Sequence, residues 1–247
     1  MRTYLLLDIG NTNIKAGISR NDKIEIILNK SYDLKNILKY ISGILNHKKY
    51  YFDYIGVSTT NVKIKRSLTN YFNKNKQKFL FIGANTRIPI ILQYKSKLGA
   101  DRISGSVGAV YSYLYHKNIL HIDFGTATTI NVIINKTFIG GLIAPGISTS
   151  FDSLMKHTTL PKVSFKIPMS LINDNTKDNI QAGVYYMSYY FINNLVKDLK
   201  KEYKNLYVVS TGGSGTIISE KVDLIDIYDR YLVLKGINFI LKYNDTI

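Results

Sequence analysis

The 247-residue sequence has no cysteine and no tryptophan, only four prolines, and 17 acidic residues against 33 Lys and Arg. Without cysteine there is no disulfide, no thiolate nucleophile, no iron–sulfur cluster and no zinc finger. No apolar run approaches the roughly 18 residues of a membrane span, and the run from Tyr4 to Leu7 stops at Asp8, too short for a signal-peptide core. A cytoplasmic protein without a membrane partner is expected. The shortage of acid leaves a net charge of +16, which raises the question of a nucleic-acid surface. Only 6 of the 33 basic residues are Arg, however, and the 27 Lys are spread without a dense tract. They accompany abundant Asn, Ile and Tyr, the set an AT-rich coding sequence favours. The excess therefore reads as a solvated basic surface rather than a nucleic-acid site. With 45% hydrophobic and 20% charged residues the chain can bury a real core, which excludes disorder and fibrous architectures.

Three strand patterns open the chain, Tyr4 to Ile9, Ile14 to Ser19 and Ile24 to Leu28, separated by the turn-forming GNTN and RNDK. Asp33 to His47 carries Leu34, Ile37, Leu38, Ile41 and Leu45 at helical spacing. A strand (Tyr54 to Ser58), a polar helix (Val62 to Asn73), strands at Phe79 to Ile82 and Ile88 to Leu92, and a helix from Ala100 follow, an alternation that indicates an α/β protein. In that last helix Gly105 and Gly108 would admit a close neighbour. The second half begins like the first, with strands Ile119 to Asp123, Thr129 to Ile134 and Thr137 to Ile143. LLLDIGNTN (Leu5 to Asn13) and LHIDFGTAT (Leu120 to Thr128) share strand, Asp, apolar residue and Gly. Two similar lobes are expected, 1–116 and 117–247, each of ordinary domain size. The second would close with a loop-rich stretch from Gly140 to Asn175, a long helix (Thr176 to Tyr203), a strand (Leu206 to Ser210), a Gly-rich turn, a strand (Leu224 to Ile227) and a helix (Tyr231 to Tyr243).

The hairpin tip Asp8-Ile9-Gly10-Asn11-Thr12-Asn13 can bind phosphate, because Gly admits backbone N–H groups to the oxygens and Asp8 can hold Mg²⁺. Lys15 would add a point charge. A turn of this kind also forms without a ligand, but it recurs as Asp123-Phe124-Gly125-Thr126-Ala127-Thr128. Two such tips facing across a cleft would clamp a nucleoside triphosphate. The strand-to-helix turn Thr211-Gly212-Gly213-Ser214-Gly215 could pass close to the same ligand. Asp101 begins the helix from Ala100 and is either a catalytic base or an N-terminal acid favoured by the dipole. Arg102 beside it suits a carboxylate. Asp123 could equally be a second Mg²⁺ ligand or a turn residue. His47, His116, His121 and His157 have no metal-ligand spacing.

The order DxGN, DxGT, TGG resembles the acetate and sugar kinase, Hsp70 and actin superfamily. The strings DIGNTNIK (Asp8 to Lys15), GADR (Gly99 to Arg102), DFGTATT (Asp123 to Thr129), GGLIAPG (Gly140 to Gly146), LPKV (Leu160 to Val163) and NTKDNIQAG (Asn175 to Gly183) are similar to those of type III pantothenate kinases. The resemblance implies a duplicated ribonuclease-H-like (actin-like ATPase) fold with the active site in the cleft between two lobes, and transfer of phosphate from ATP to pantothenate in coenzyme A synthesis. It further implies that Asp8, Ile9, Gly10, Asn11, Thr12, Asn13, Ile14, Lys15 and Thr126 contact ATP, with Asp8 near Mg²⁺. Gly99, Ala100, Asp101, Arg102 and an upstream tyrosine, for which Tyr94 is the candidate, would hold pantothenate, with Asp101 as general base. Asp123 would bind a monovalent cation, K⁺ or NH₄⁺, and Thr176 would reach substrate across a homodimer interface. The aromatic cluster Tyr185, Tyr186, Tyr189, Tyr190 and Phe191 would then be covered by the partner subunit. Two rivals remain at this point: another small-molecule kinase of the superfamily, and a non-catalytic relative with a regulatory or nucleic-acid-associated role.

Overall fold

A computed structural model describes residues 2–33 and 36–245. The elements run β1 (Tyr4–Ile9), β2 (Asn13–Arg20), β3 (Lys23–Ser31), α1 (Ile37–Leu45), β4 (Tyr54–Thr59), α2 (Val62–Lys74), β5 (Phe79–Phe81), β6 (Ile91–Leu92), α3 (Ala100–Ser112), β7 (Asn118–Phe124), β8 (Ala127–Ile134), β9 (Thr137–Pro145), α4 (Ile147–His157), α5 (Thr176–Glu202), β10 (Leu206–Thr211), α6 (Gly215–Ser219), β11 (Ile227–Tyr228) and α7 (Leu232–Asp245). Leu34, counted above in the apolar set of the first helix, lies outside the described residues. Two compact units result, Met1–Leu114 with Tyr231–Ile247, and Tyr115–Arg230.

In the first unit β1, β2 and β3 form an antiparallel meander, and β4 and β5 add on parallel to β1 in the order β3-β2-β1-β4-β5. Asn21 and Asp22 turn the second hairpin with φ of 50° and 66°, the left-handed pair that matches strand twist. One sheet face buries Leu5, Leu7, Ile9, Ile14, Ala16, Ile18, Ile55 and Val57 against Ile37 and Ile41 of α1 and Ile64, Leu68 and Phe72 of α2. Asn61 caps α2 by accepting from the N–H groups of Lys63 and Ile64 at 3.0 and 3.2 Å. The opposite face carries α7: a Cβ on Gly56 would lie 2.6 Å from Ile237 and 2.7 Å from Leu241. α3 crosses α7 at backbone contact, because a Cβ on Gly108 would meet the Leu232 carbonyl oxygen at 2.3 Å.

The second unit repeats the plan. β7, β8 and β9 form an antiparallel meander, β10 pairs parallel to β7 on its other side, and the order is β11-β10-β7-β8-β9. Leu120, Ile122, Phe124, Ile130 and Val132 pack against Phe151 and Met155 of α4 and Ile180, Val184, Tyr185, Ile192 and Val196 of α5. The duplication read from the two DxG strings is thus a duplication of strand order.

Three expectations change. The closing helix does not belong with the second half: α7 lies in the first unit, where its apolar face covers the sheet that β1 and β4 leave open. Residues 147–157, expected as loop, form α4, and Ile147, Phe151 and Met155 are its buried face. The expected strands at 88–92 and 224–227 shrink to Ile91–Leu92 and Ile227–Tyr228. Pro89 lacks the N–H that a longer strand would need at 88–92.

Candidate active site

In the first unit the register of the sheet sets the chemistry. Asp8 pairs with Lys15 across β1 and β2 and with Ser58 across β1 and β4, so the three side chains form one row on the face that carries α3 and α7. The next residues of each strand, Ile9 and Ile14, point the other way into the core and are 1% and 0% exposed. Any ligand contact at those two positions is a backbone contact. Gly10, Asn11, Thr12 and Asn13 form the exposed tip, closed by the Gly10 N–H donating to the Asn13 carbonyl at 3.0 Å.

Burial pushes the Asp8 carboxyl up to about 6, the Lys15 ammonium opposes the rise, and the negative charge of Asp101 adds to it. Asp101, which follows the first residue of α3, therefore faces the same space as Asp8. Its Oδ1 accepts the Arg102 N–H at 2.8 Å, and a Cβ on Gly99 would sit 2.6 Å from that oxygen, so glycine leaves the carboxylate its room. Arg102 is 6% exposed, with its guanidinium carbon 5.6 Å from the centre of the Tyr94 ring. Hydrogen bonds with Ser96 and with Arg102 hold the Tyr94 phenol below its usual value. Tyr94, Gly99, Asp101 and Arg102 are thus neighbours, as are Asp8 and Lys15, and Asp8 and Asp101 feel each other's charge.

One residue of this group had no sequence signal. The Tyr32 hydroxyl donates to the Gly10 carbonyl at 2.6 Å, and the Tyr32 N–H donates to the Thr12 carbonyl at 3.1 Å. With the tip carbonyls of residues 10, 12 and 13 all engaged inward, the tip is held in one shape. Burial and the charge of Asp8 raise the Tyr32 phenol above its usual value, which keeps it a donor at neutral pH.

The second unit holds its own constellation. Thr211 is in register with Asp123. Gly212 has φ +102°, and a Cβ there would fall 2.5 Å from Asp123 Oδ1 and 2.5 Å from the Phe124 backbone. The Ser214 N–H donates to the Phe124 carbonyl at 3.1 Å. The Thr126 carbonyl accepts from the Gly146 N–H at 3.0 Å and the Thr149 hydroxyl at 2.6 Å, which ties the DFGT turn to the start of α4. Thr176 is exposed in the first turn of α5, where Asn175 accepts the Asp178 N–H at 3.0 Å and donates to its carboxylate at 2.8 Å. The structure thus brings Asp123, Thr126 and the Gly-rich turn together within this unit.

Two ion sites were tested against these residues. Asp8, a carboxylate raised by burial and by the charge of a second carboxylate, Asp101, has the chemistry to hold a divalent cation beside Lys15. At Asp123 the space kept open by Gly212 and the buried Thr211 hydroxyl, which has no hydrogen-bond partner, suit an oxygen-liganded cation. Among the described residues no cluster of three or more His, Asp or Glu could hold a metal by itself. A divalent ion would therefore need oxygens from a ligand.

The raised Asp8 carboxyl has a consequence for stability. The folded state binds the proton more tightly than the unfolded chain, so stability falls as pH rises from about 4 to about 6. Asp8→Asn should gain about 2 kcal/mol relative to wild type between pH 4 and pH 7.5, after allowance for water at the half-buried group. Urea unfolding of both proteins at the two pH values measures this double difference; a difference of zero would mean that Asp8 is well solvated.

Strand order and the paired Asp-Gly turns define a member of the actin-like ATPase and sugar-kinase fold. An actin-like MreB5 of Spiroplasma citri shares it at a TM-score of 0.56 and 12% identity, over 100% of this chain and 98% of that one. A Campylobacter jejuni structure described as a Baf family transcriptional activator matches at TM-score 0.63 and 25% identity, over 98% and 100%. The sequence profile of type III pantothenate kinases matches residues 4–198. Type III pantothenate kinases of Petrotoga mobilis and Agathobacter rectalis are 34% and 35% identical, each over 96% of this chain and over 97% and 96% of their own lengths. The chain belongs to the type III pantothenate kinase family.

Proposed function

We infer that the protein transfers the terminal phosphoryl group of ATP to the primary hydroxyl of pantothenate, giving 4′-phosphopantothenate on the way to coenzyme A. The observation that carries this is the placement of Asp101 in charge contact with Asp8, at the start of α3, inside the segment that matches the family. Phosphoryl transfer asks for in-line positioning and charge neutralisation rather than covalent chemistry. Asp101 accepts the hydroxyl proton as the oxygen attacks phosphorus. Arg102, buried and held against Tyr94, takes the pantothenate carboxylate, and Gly99 and Ala100 lie along the substrate.

Asp8 to Lys15 take the ATP phosphates, Lys15 with its charge, Gly10 to Asn13 with the tip, and Ile9 and Ile14 through the backbone only. Asp8 would hold the Mg²⁺, which when bound would supply positive charge to the phosphates. Thr126 touches ATP, and Asp123 would hold K⁺ or NH₄⁺. The protein works in the cytoplasm as a homodimer in which Thr176 of one protomer reaches the substrate of the other. Supporting the dimer, Met187, Tyr190 and Phe191 on α5 are 57%, 45% and 38% exposed, an apolar face suited to a second copy. Among the described residues no helix is long and apolar enough to cross a membrane.

The reaction is tested by ADP release from purified protein with ATP, Mg²⁺ and K⁺, with and without pantothenate. Release that needs pantothenate supports the assignment; its absence, with salt-sensitive DNA binding instead, would favour the regulatory rival. A finer expectation concerns Tyr32. Tyr32→Phe removes one hydrogen bond to the phosphate loop, about 1 kcal/mol, so KM for ATP should rise about fivefold with kcat and KM for pantothenate little changed. An equal fall in kcat for both substrates would assign Tyr32 to the chemistry instead.

A further inference from the structure

In the Gly-rich turn after β10 two glycines are consecutive, Gly212 and Gly213. Glycine takes either sign of φ without steric cost, so no side chain of the turn fixes which way the peptide between them faces. Gly212 has φ +102°, and its carbonyl accepts two hydrogen bonds, from the Tyr228 hydroxyl at 2.7 Å and from the Gly215 N–H at 3.2 Å. The shorter of the two comes from the tyrosine. Tyr228 is itself anchored: it pairs with Ser210 where β11 runs parallel to β10, and the Asp229 N–H donates to the Ser210 carbonyl at 2.8 Å. Its ring also meets the far end of the turn, since a Cβ on Gly215 would fall 2.2 Å from the ring carbon Cε2. In the first unit the Tyr32 hydroxyl holds the Gly10 carbonyl in the same manner.

Peptide geometry sets the consequence. In a trans peptide the C=O and the N–H point in opposite directions, and none of the described peptide bonds is cis. With the Gly212 carbonyl turned toward Tyr228, the Gly213 N–H points to the other side. Gly213 is exposed, and among the described residues its N–H has no acceptor. The turn that carries this N–H is fastened to the DFGT segment: a Cβ on Gly212 would fall 2.5 Å from the Phe124 nitrogen, and the Ser214 N–H donates to the Phe124 carbonyl at 3.1 Å. A reversed peptide would present a carbonyl oxygen in place of the N–H, and so repel the anion that the N–H attracts.

We propose that Tyr228 is a positioning residue for nucleotide binding: its hydroxyl fixes the polarity of the Gly212–Gly213 peptide, so that an N–H rather than a carbonyl oxygen faces the polyphosphate. This role presupposes ATP as the phosphoryl donor, the reading given above. Tyr228 itself touches neither the nucleotide nor the reacting atoms and acts through the turn alone.

Tyr228→Phe keeps the ring on Gly215 and removes only the hydroxyl. Calorimetric titration of the intact protein with Mg·ATP should show Kd about tenfold higher in the variant, while kcat at saturating ATP and KM for pantothenate stay within about twofold of wild type. In wild type labelled with ¹⁵N-glycine, the Gly213 amide signal, identified by its loss in Gly213→Ala, should shift when Mg·ATP is added. If Tyr228→Phe fails to fold, that signal decides: an amide that does not respond to saturating Mg·ATP overturns the proposal. Unchanged ATP affinity in Tyr228→Phe overturns it too, as does an equal loss of affinity for ATP and pantothenate, the mark of a general disturbance of the fold. A wild type that binds no Mg·ATP would overturn the kinase reading itself and the role of Tyr228 with it.

Discussion

Asp101→Asn is expected to lower kcat by about 100- to 10,000-fold, the range general-base catalysis supplies, with little change in KM for ATP. The amide keeps the shape of the carboxylate and still accepts the Arg102 N–H, so the start of α3 should not move. What it loses is the capacity to take a proton. A second signature separates this role from that of a helix-capping acid. Asp101 pushes the Asp8 carboxyl upward, so its neutralisation should lower the pH at which Asp8 ionises, and an acid limb of kcat/KM set by Asp8 should move down with it. Lys15→Met should move the same limb the other way, and further, since Lys15 opposes the rise more strongly than Asp101 adds to it. Steady-state kinetics from pH 5 to 9 on the three proteins measures both effects. Full activity in Asp101→Asn would remove the base from the mechanism.

The largest expected effect on folding is that of Gly236→Ala. A Cβ at Gly236 would stand 1.7 Å from the Ser104 carbonyl oxygen and 2.9 Å from the Gly108 nitrogen, and both are backbone atoms that no rotamer can move. Alanine improves helix propensity by about 1 kcal/mol, but forcing α7 off α3 costs about 3 kcal/mol or more, so the clash wins. Because α3 carries Asp101 and Arg102, its displacement should lower kcat as well. Gly43→Ala is the internal control. It lies in α1 with nothing within 4 Å of the added methyl, and should be stabilising by up to about 1 kcal/mol. Chemical denaturation of the two variants distinguishes a contact effect from a propensity effect; similar signs would contradict the crossing.

Much of this was legible in the sequence, for reasons that are local. The three-stranded meanders and the DxG turns follow from short apolar runs separated by turn-forming residues, whereas the pairing of Lys15 with Asp8 is a matter of register that the structure supplies. Gly108 was marked as a packing glycine from its place on an apolar helix, and it lies against Leu232. The rest depends on where distant segments meet. Nothing in the order of elements says that α7 returns to the first unit, because its apolar stripe would fit either sheet. α4 was hidden because Gly140, Gly141, Pro145 and Gly146 punctuate the approach and Ser and Thr fill its exposed face, leaving only Ile147, Phe151 and Met155 as a weak stripe. Tyr32 acts through a hydrogen bond to a backbone carbonyl 22 residues away, an interaction without a motif.

The basic excess with which the sequence is marked leaves the chemistry to a few acids. The most direct measurement is ³¹P NMR of purified protein incubated with ATP, Mg²⁺, K⁺ and pantothenate. The account predicts a phosphomonoester signal of 4′-phosphopantothenate growing in step with ADP in wild type and nearly absent in Asp101→Asn. ATP consumption without that signal, or the same signal at the same rate in the variant, would contradict it.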